Sequence, residues 1–218
     1  MTKPTLAIIG GTGAEGPGLA MRWAHAGYPI IIGSRQAEKA EGTAAELNEL
    51  LGINTIRGMD NAAASQAADI CVLTVVAKAH QAALEGLKEA LQGKLVVDAT
   101  ARLKFPGPKP ASPPAAARIA QDILGEGATV VAAFQNVPAS ALRKNLDEPV
   151  VTDVMVCGDD LDAVEKVVAL SEDGGMRAFY AGGLDNAVVV EGVTALLIAM
   201  NKHYGGHGTV QITGIDKK

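Results

Sequence analysis

Gly11, Gly13 and Gly16 stand at the spacing of a phosphate-binding loop, Gly11-Thr12-Gly13-Ala14-Glu15-Gly16, between an apolar run from Leu6 to Ile9 and a helical stretch. In such a loop Gly11 permits the tight turn off the strand. Gly13 lets the backbone approach a pyrophosphate, and Gly16 lets the helix pack close on the sheet. The pyrophosphate then rests on free N–H groups at the helix start, where the dipole favours an anion. The context is the one the motif requires: the helical stretch from Leu19 stops at Gly27, and a second apolar strand, Ile30-Ile31-Ile32, follows. That strand ends in Ser34, with Arg35 next and Lys39 one helical turn on. A carboxylate here would accept from the ribose 2′-hydroxyl of NAD, whereas a hydroxyl and two cations suit the 2′-phosphate of NADP. Arg35 can also lie flat against adenine, and Thr12 offers a hydroxyl from the other side. The plain alternative makes Arg35 and Lys39 a solvated helix start. Cations there oppose the helix dipole unless an anion is near, which favours the NADP(H) reading.

The elements that must position these residues alternate along most of the chain. Strands are expected at 5–10, 29–33, 54–58, 69–75, 94–98 and 128–134, with helices over 16–27, 36–51, 60–67, 79–92 and 114–125. That order is the pattern of an α/β, Rossmann-type doubly wound and mostly parallel sheet. Ligands bind such sheets beyond the carboxyl ends of the strands, so 74–80, 98–102 and 134–138 should line one cleft. Residues 105–114 hold five of the ten prolines and break the rhythm. They read as an extended loop, either a connector or a flap. A strand over 150–157, a helix over 161–172 and a strand over 178–181 should extend the sheet. Residues 1–182 are therefore expected to form the NADP-binding Rossmann-like domain. Residues 183–218 form a small C-terminal segment, with an apolar helix over 187–200 and a Gly-rich tail through Val210.

Length and composition set the outer bounds. The 218 residues suffice for one α/β domain with a small appendage. A hydrophobic fraction of 48% with 20% charged residues is that of a soluble globular protein. The net charge of −5 speaks against nucleic acid as a partner. No uninterrupted apolar run of membrane-spanning length and no leader precede the first strand, so a cytoplasmic protein without membrane partners is expected. Cys71 and Cys157 lie in separate apolar runs and read as core thiols.

Across nearly its whole length the chain resembles the F420-dependent NADP reductase family. The resemblance is carried by GGTGAEGPGLAMRWAHAGYPIIIGSR at the start, VVAAFQNVPASAL in the sixth strand, VCGDD near residue 157, and NKHY and ITGI near the end. It implies hydride transfer between nicotinamide C4 and deazaflavin C5, with NADP(H) and coenzyme F420 as co-substrates, in a homodimer. It also implies that Thr12, Ser34, Arg35 and Lys39 bind the 2′-phosphate, and that the deazaflavin lies near Gln135, Val137 and the tail around Val210. The chain departs from the family at Val76, where Pro is frequent, at Gln135, where characterised archaeal members carry His, and at Ala181-Gly182-Gly183-Leu184, where Ala-Gly-Pro-Leu is usual.

The full expected set for cofactor and co-substrate is Gly11, Thr12, Gly13, Ala14, Glu15, Ser34, Arg35, Lys39, Thr74, Val75, Val76, Ala99, Gln135, Val137 and Val210, with no metal and no acid–base residue. Hydride transfer between stacked rings needs alignment more than acid–base groups. Val75, Val76, Phe134, Val137 and Val210 would offer flat apolar walls. Arg102, Lys104 and Lys109 could meet the phosphate and polyglutamate tail of F420. His80 is expected to cap a helix or face solvent. Asp159 and Asp160 should cap the next helix. Lys78 would lie on the nicotinamide side without a catalytic role, and His203 and His207 are not expected to hold a metal. Two other readings stay open: an NADPH-dependent reductase of a flavin, pterin, imine or carbonyl compound, and a non-catalytic NADPH sensor.

Overall fold

The computed structural model describes residues 3–110 and 112–215. Ala111 of the Pro-rich segment, Met1 and Thr2 before the first strand, and the last three residues of the C-terminal segment lie outside the described residues. The first half of the chain runs β1 (Leu6–Ile9), α1 (Gly16–His25), β2 (Ile30–Ser34), α2 (Ala37–Leu51), β3 (Ile56–Asp60), α3 (Asn61–Ala67), β4 (Ile70–Leu73), α4 (Ala77–Leu87) and β5 (Leu95–Asp98). A two-stranded hairpin, β6 (Leu103–Lys104) and β7 (Lys109–Pro110), precedes α5 (Ala116–Leu124) and β8 (Thr129–Ala132). Then come α6 (Ala139–Leu142), β9 (Asp153–Gly158), α7 (Leu161–Asp173), β10 (Arg177–Tyr180) and α8 (Ala187–Tyr204).

Eight strands form one sheet in the order β10-β9-β8-β5-β4-β1-β2-β3. All neighbours are parallel except β8 and β9, which run antiparallel. Strands β1, β2 and β4 are buried throughout, because helices cover both faces of a doubly wound sheet. The chain leaves β1 toward β2 and β3, then returns to β4 on the other side of β1. This reversal opens a crevice at the carboxyl ends of β1 and β4.

Several boundaries differ from expectation for local reasons. Strand β3 lies two residues later than 54–58 and runs through Gly58, where a Cβ would come within 2.2 Å of the Glu41 nitrogen on α2. That glycine serves close packing, not strand termination. Helix α4 starts at Ala77, with the Val76 carbonyl accepting from Ala79 N, and ends at Leu87, before a turn that closes on Gly93 at φ +73°. Strand β9 begins only at Asp153, since the Val150 N–H is spent on the Gly175 carbonyl. The Pro-rich segment is not wholly a loop, since β6 and β7 pair with Lys104 opposite Lys109. Pro110 is tolerated because this ribbon has no third strand. Helix α8 is longer than expected. It belongs to Leu184–Tyr204, the one segment among the described residues long and apolar enough to cross a membrane by length and composition. Glu191 interrupts its apolar run and is buried against the domain.

Trp23 on α1 is fully buried, donates from Nε1 to the Leu170 carbonyl at 2.8 Å and meets the Phe134 ring edge-on at 5.6 Å. One residue earlier, Arg22 is also buried. Its guanidinium donates to five backbone carbonyls, those of Leu142, Lys144, Asn145, Leu146 and Glu148, at 2.7–3.3 Å. It thereby fastens the irregular segment between α6 and β9 to the helix that starts at the glycine loop. Replacing Arg22 by Met keeps the bulk but orphans these carbonyls, and should cost about 2–4 kcal/mol of stability. The urea midpoint measures this, and an unchanged midpoint would show that water satisfies the carbonyls equally well.

Candidate functional site

The glycine loop turns off β1 at Gly10, which has φ +73° and donates its N–H to Asn61 Oδ1 of α3 at 3.2 Å. A Cβ on Gly11 would stand 2.6 Å from the Ile8 carbonyl oxygen, and one on Gly16 would stand 2.6 Å from Gly11 Cα. Both glycines are therefore required by the fold itself. Gly13 differs: its Cβ would meet nothing closer than the Gly10 oxygen at 3.6 Å, and Thr12, Gly13 and Ala14 are exposed. The space above Gly13 is open to a ligand. Helix α1 follows with Pro17 in its first turn and no side-chain cap, so its start can receive an anion.

At the end of the neighbouring strand β2, Ser34 is buried and its Oγ accepts from Gln36 N at 3.3 Å. Arg35 and Lys39 flank the start of α2, both exposed. Among the described residues neither is engaged in a salt bridge or side-chain hydrogen bond. Two unpartnered cations beside a helix start, next to an open glycine loop, fit a phosphate.

On the other side of β1 the cleft passes over β4 and β5. Thr74 donates from N and Oγ1 to the Ile9 carbonyl at 2.9 and 3.1 Å. Val75 lies where a Cβ on Gly10 would come within 2.8 Å of it, and Val76 is 62% exposed. Ala99 is buried, with its N–H on the Leu73 carbonyl at 3.1 Å. Asp98, at the end of β5, accepts from Thr100 N at 2.9 Å and is hydrogen-bonded to His80 Nε2 at 2.6 Å. His80 is thus neither a cap nor solvent-facing, because the first turn of α4 points it inward onto a buried carboxyl. The Glu15 carboxyl turns inward as well. Its Oε1 is buried without a partner, and burial, followed by the charge of Asp98, pushes its pKa up to about 8.

Beyond β8 the backbone of Phe134 adopts φ +78°, a rare conformation for a residue with a side chain. The Phe134 ring is consequently in the core against Trp23, and Val137 is buried in the same cluster. These two are not the flat cleft walls expected from their place in the sequence. The next two residues of the turn, Gln135 and Asn136, are buried as well. Gln135 Nε2 donates to the Asp98 carbonyl at 2.8 Å and Asn136 Nδ2 to the Asp153 carbonyl at 2.9 Å. Each amide is oriented by a carbonyl, so Gln135 Oε1 and Asn136 Oδ1 are left as buried acceptors without partners. Glu15 Oε1 is a third unpartnered buried oxygen among the described residues. Such groups are costly unless a ligand supplies donors, as the amide and imide N–H groups of a nicotinamide or a deazaflavin would. The residues present therefore fit both ring systems.

The C-terminal segment closes this end. Val210 accepts through its carbonyl from Asp153 N at 2.7 Å, and Asp153 and Arg177 hold Ile212 through its N–H and carbonyl. Thr194 on α8 donates to the Gln135 carbonyl at 2.7 Å. Glu191 accepts from Arg102 N at 2.8 Å and Ala116 N at 2.6 Å, and the Arg102 guanidinium reaches the Pro114 carbonyl. Arg102 is thus committed to the loop, whereas Lys104 and Lys109 face each other exposed on the hairpin. Lys78 is exposed on α4. Asp160 caps α7 as expected, but Asp159 does not. It pairs with Arg118 at 2.7 Å and accepts from Leu184 N, which holds its carboxyl below the usual carboxylate range. Cys71 and Cys157 are buried thiols, which burial pushes up to about 11.

Comparison with known proteins agrees with this geometry. Residues 5–102 match the family model described as NADP oxidoreductase, coenzyme F420-dependent. The F420-dependent NADP reductase of Methanothermobacter thermautotrophicus is 39% identical over 208 residues, covering 90% of this chain and 88% of that one. The enzyme of the same name from Methanocaldococcus jannaschii is 39% identical over 223 residues, covering 97% and 99%. Among solved structures, a candidate F420-dependent NADP reductase from Arthrobacter sp. FB24 superposes with a TM-score of 0.78 at 24% identity, covering 94% of this chain and 96% of that one. By the extent and identity of these matches, the chain belongs to the F420-dependent NADP reductase family.

Proposed function

We propose that the protein is a soluble, cytoplasmic oxidoreductase that transfers a hydride between NADP(H) and coenzyme F420. The observation that carries the NADP(H) half is the open glycine loop at Gly13 beside the unpartnered Arg35 and Lys39. The kinship with F420-dependent NADP reductases over nine-tenths of the chain supports the choice of deazaflavin. In this reading Gly11, Thr12, Gly13, Ala14 and Glu15 receive the pyrophosphate and its neighbourhood, and Ser34, Arg35 and Lys39 take the 2′-phosphate. Thr74, Val75, Val76 and Ala99 bound the nicotinamide side. Gln135 offers its orphaned oxygen to a ring N–H, and the tail at Val210 closes the deazaflavin side. When both are bound, the two ring systems supply the hydride chemistry themselves, and the protein aligns them and excludes water. The Lys104–Lys109 pair supports an anionic tail on the second substrate, because like charges opposite one another on a ribbon are otherwise unfavourable.

We also propose that residues 183–218 complete the second site and carry a homodimer interface. On α8, Ala187, Val190, Glu191, Ala195 and Leu197 face the domain. Val189, Leu196 and Met200 are 65%, 62% and 51% exposed, and they fall on one stripe with half-buried Val193. An apolar stripe of this length supports contact with a second copy.

Three outcomes check these readings. F420 absorbance should fall when NADPH is supplied to the purified protein. If F420 stays oxidised while a free flavin or an imine is turned over, the deazaflavin assignment fails. Arg35→Ala should weaken NADPH by about 1.5–3 kcal/mol while leaving NADH unaffected, since only NADPH presents a phosphate to the guanidinium. Equal losses for both in a fluorescence titration would remove Arg35 from phosphate recognition. Light scattering should give the mass of a dimer, and Leu196→Glu should give a monomer; a wild-type monomer at micromolar concentration would refute the interface.

A further inference from the structure

The pyrophosphate of a dinucleotide is doubly anionic, and Gly11-Thr12-Gly13-Ala14-Glu15-Gly16 contains no cation to meet it. The backbone answers in part. The Glu15 carbonyl accepts from Gly18 N at 3.0 Å and Leu19 N at 3.2 Å, so the bonds of α1 begin there. The N–H groups of Ala14, Glu15 and Gly16 are left without a partner among the described residues. Such neutral donors orient phosphate oxygens, and a cationic donor binds them roughly twice as strongly. The basic residues of α1 itself are committed elsewhere, Arg22 to the carbonyls after α6 and His25 to Asp147. Arg35 and Lys39 stand past the end of β2, where the 2′-phosphate belongs.

Another cation is brought to this helix start from far along the chain. Gly18 is in the first turn of α1, and a Cβ there would stand 2.7 Å from Leu142 Cβ and 3.5 Å from Arg143 Cγ. The end of α6 therefore lies directly on that turn, with the Arg143 stem beside it. The arginine's backbone is fixed from both sides by the same helix: Arg22 donates from Nε to the Leu142 carbonyl at 2.9 Å and from Nη2 to the Lys144 carbonyl at 2.7 Å. The Arg143 N–H is bonded to the Ala141 carbonyl. Its side chain, by contrast, is exposed and makes no salt bridge or hydrogen bond among the described residues.

We infer that Arg143 is a binding residue for the pyrophosphate of NADP(H), its guanidinium donating to phosphate oxygens that the N–H groups of the glycine loop leave open. This inference rests on the NADP(H) reading above. A cation whose backbone is clamped onto a helix start, whose stem lies against the first turn and whose charge has no partner is placed to complete an anion site there. The deazaflavin substrate carries a phosphate too. The assignment to the dinucleotide follows from the contact with α1, at whose start the free N–H groups gather.

An arginine suits the place better than a lysine. Its planar fork can take two oxygens at once, and its weaker hydration lets it shed water at an exposed position. The bond it makes is indifferent to the 2′-phosphate, because NADP(H) and NAD(H) carry the same pyrophosphate. The two arginines thus divide the work: Arg143 raises affinity for either dinucleotide, and Arg35 chooses between them. The glycine at position 18 gains a reason as well, since a methyl group there would push Leu142 away and the arginine with it.

The test compares three ligands by titration. Arg143→Gln should weaken NADPH and NADH by the same factor, about tenfold, as expected for a charge-assisted bond to phosphate. Adenosine 2′-monophosphate, which has the 2′-phosphate but no pyrophosphate, should bind the variant as it binds the wild type. Added salt should weaken NADPH binding less steeply in the variant, because one ion pair is gone. Arg143→Lys, which keeps the charge without the fork, should lie between the two. A loss shared in full by Arg143→Lys with the salt dependence unchanged would make the residue structural and overturn the inference. So would unchanged affinity for both dinucleotides, or a raised KM for F420 in their place, which would give the arginine to the deazaflavin's phosphate. Each of these results leaves the NADP(H) reading intact, whereas failure of the wild type to bind either dinucleotide would overturn that reading and this inference with it.

Discussion

A helix start must lie directly on the end of a strand, with no side chain between them, for this fold to hold its cleft. At Gly16 a single methyl carbon would sit 2.6 Å from Gly11 Cα and 2.9 Å from its carbonyl oxygen, which no rotamer can relieve. Because α1 approaches β1 this closely, its N-terminal N–H groups point over the strand end and the loop between them stays short. The same turn of the helix repeats the constraint at Gly18, where a Cβ would reach 2.7 Å from Leu142 on α6. The same contact sets α6, and through Arg22 the segment up to Glu148, against α1. The phosphate loop and the far side of the domain are therefore one packing problem.

The second substrate side is organised differently, by buried polar fasteners. Glu191 reaches from α8 to the backbone of Arg102 and Ala116, Thr194 holds the Gln135 carbonyl, and Asp153 ties the tail at Val210 and Ile212. Each joins the C-terminal segment to a strand end of the sheet. Burial pushes the Glu191 carboxyl up in pKa, while the two N–H groups that it accepts draw it down, so desolvation is offset only in part. Leu184, Ala187 and Val190 pack the segment into the core, and the directional bonds fix its position where hydrophobic contact alone would leave it free to slide.

What was legible in the sequence follows the range of the interactions involved. The order of strands and helices, the glycine loop and the cations at Arg35 and Lys39 are local signals, and the structure has the strands and helices where periodicity and breakers set them, within a few residues. The short helix α6 and the hairpin β6–β7 escaped because two- to four-residue elements carry no period. Phe134 read as a cleft wall because it ends a strand. Its left-handed backbone, which no residue type signals, accompanies a ring packed in the core against Trp23. The His80–Asp98 bond joins two elements 18 residues apart, and the Arg22 bonds span 120 residues or more. A solvent-facing histidine and a buried one look alike in sequence. Nor does a loop glutamate signal that its carboxyl turns inward and leaves Glu15 Oε1 buried without a partner.

The chemistry of the reaction bears on the neutral lining at the ends of β4 and β5. Hydride transfer moves a charge from one ring to another, so any fixed charge beside the nicotinamide favours one redox state at every pH. A permanent carboxylate would hold NADP+ and resist its exchange, and a permanent cation would do the reverse. Thr74, Val75, Ala99 and the amides of Gln135 and Asn136 are neutral and bias neither state.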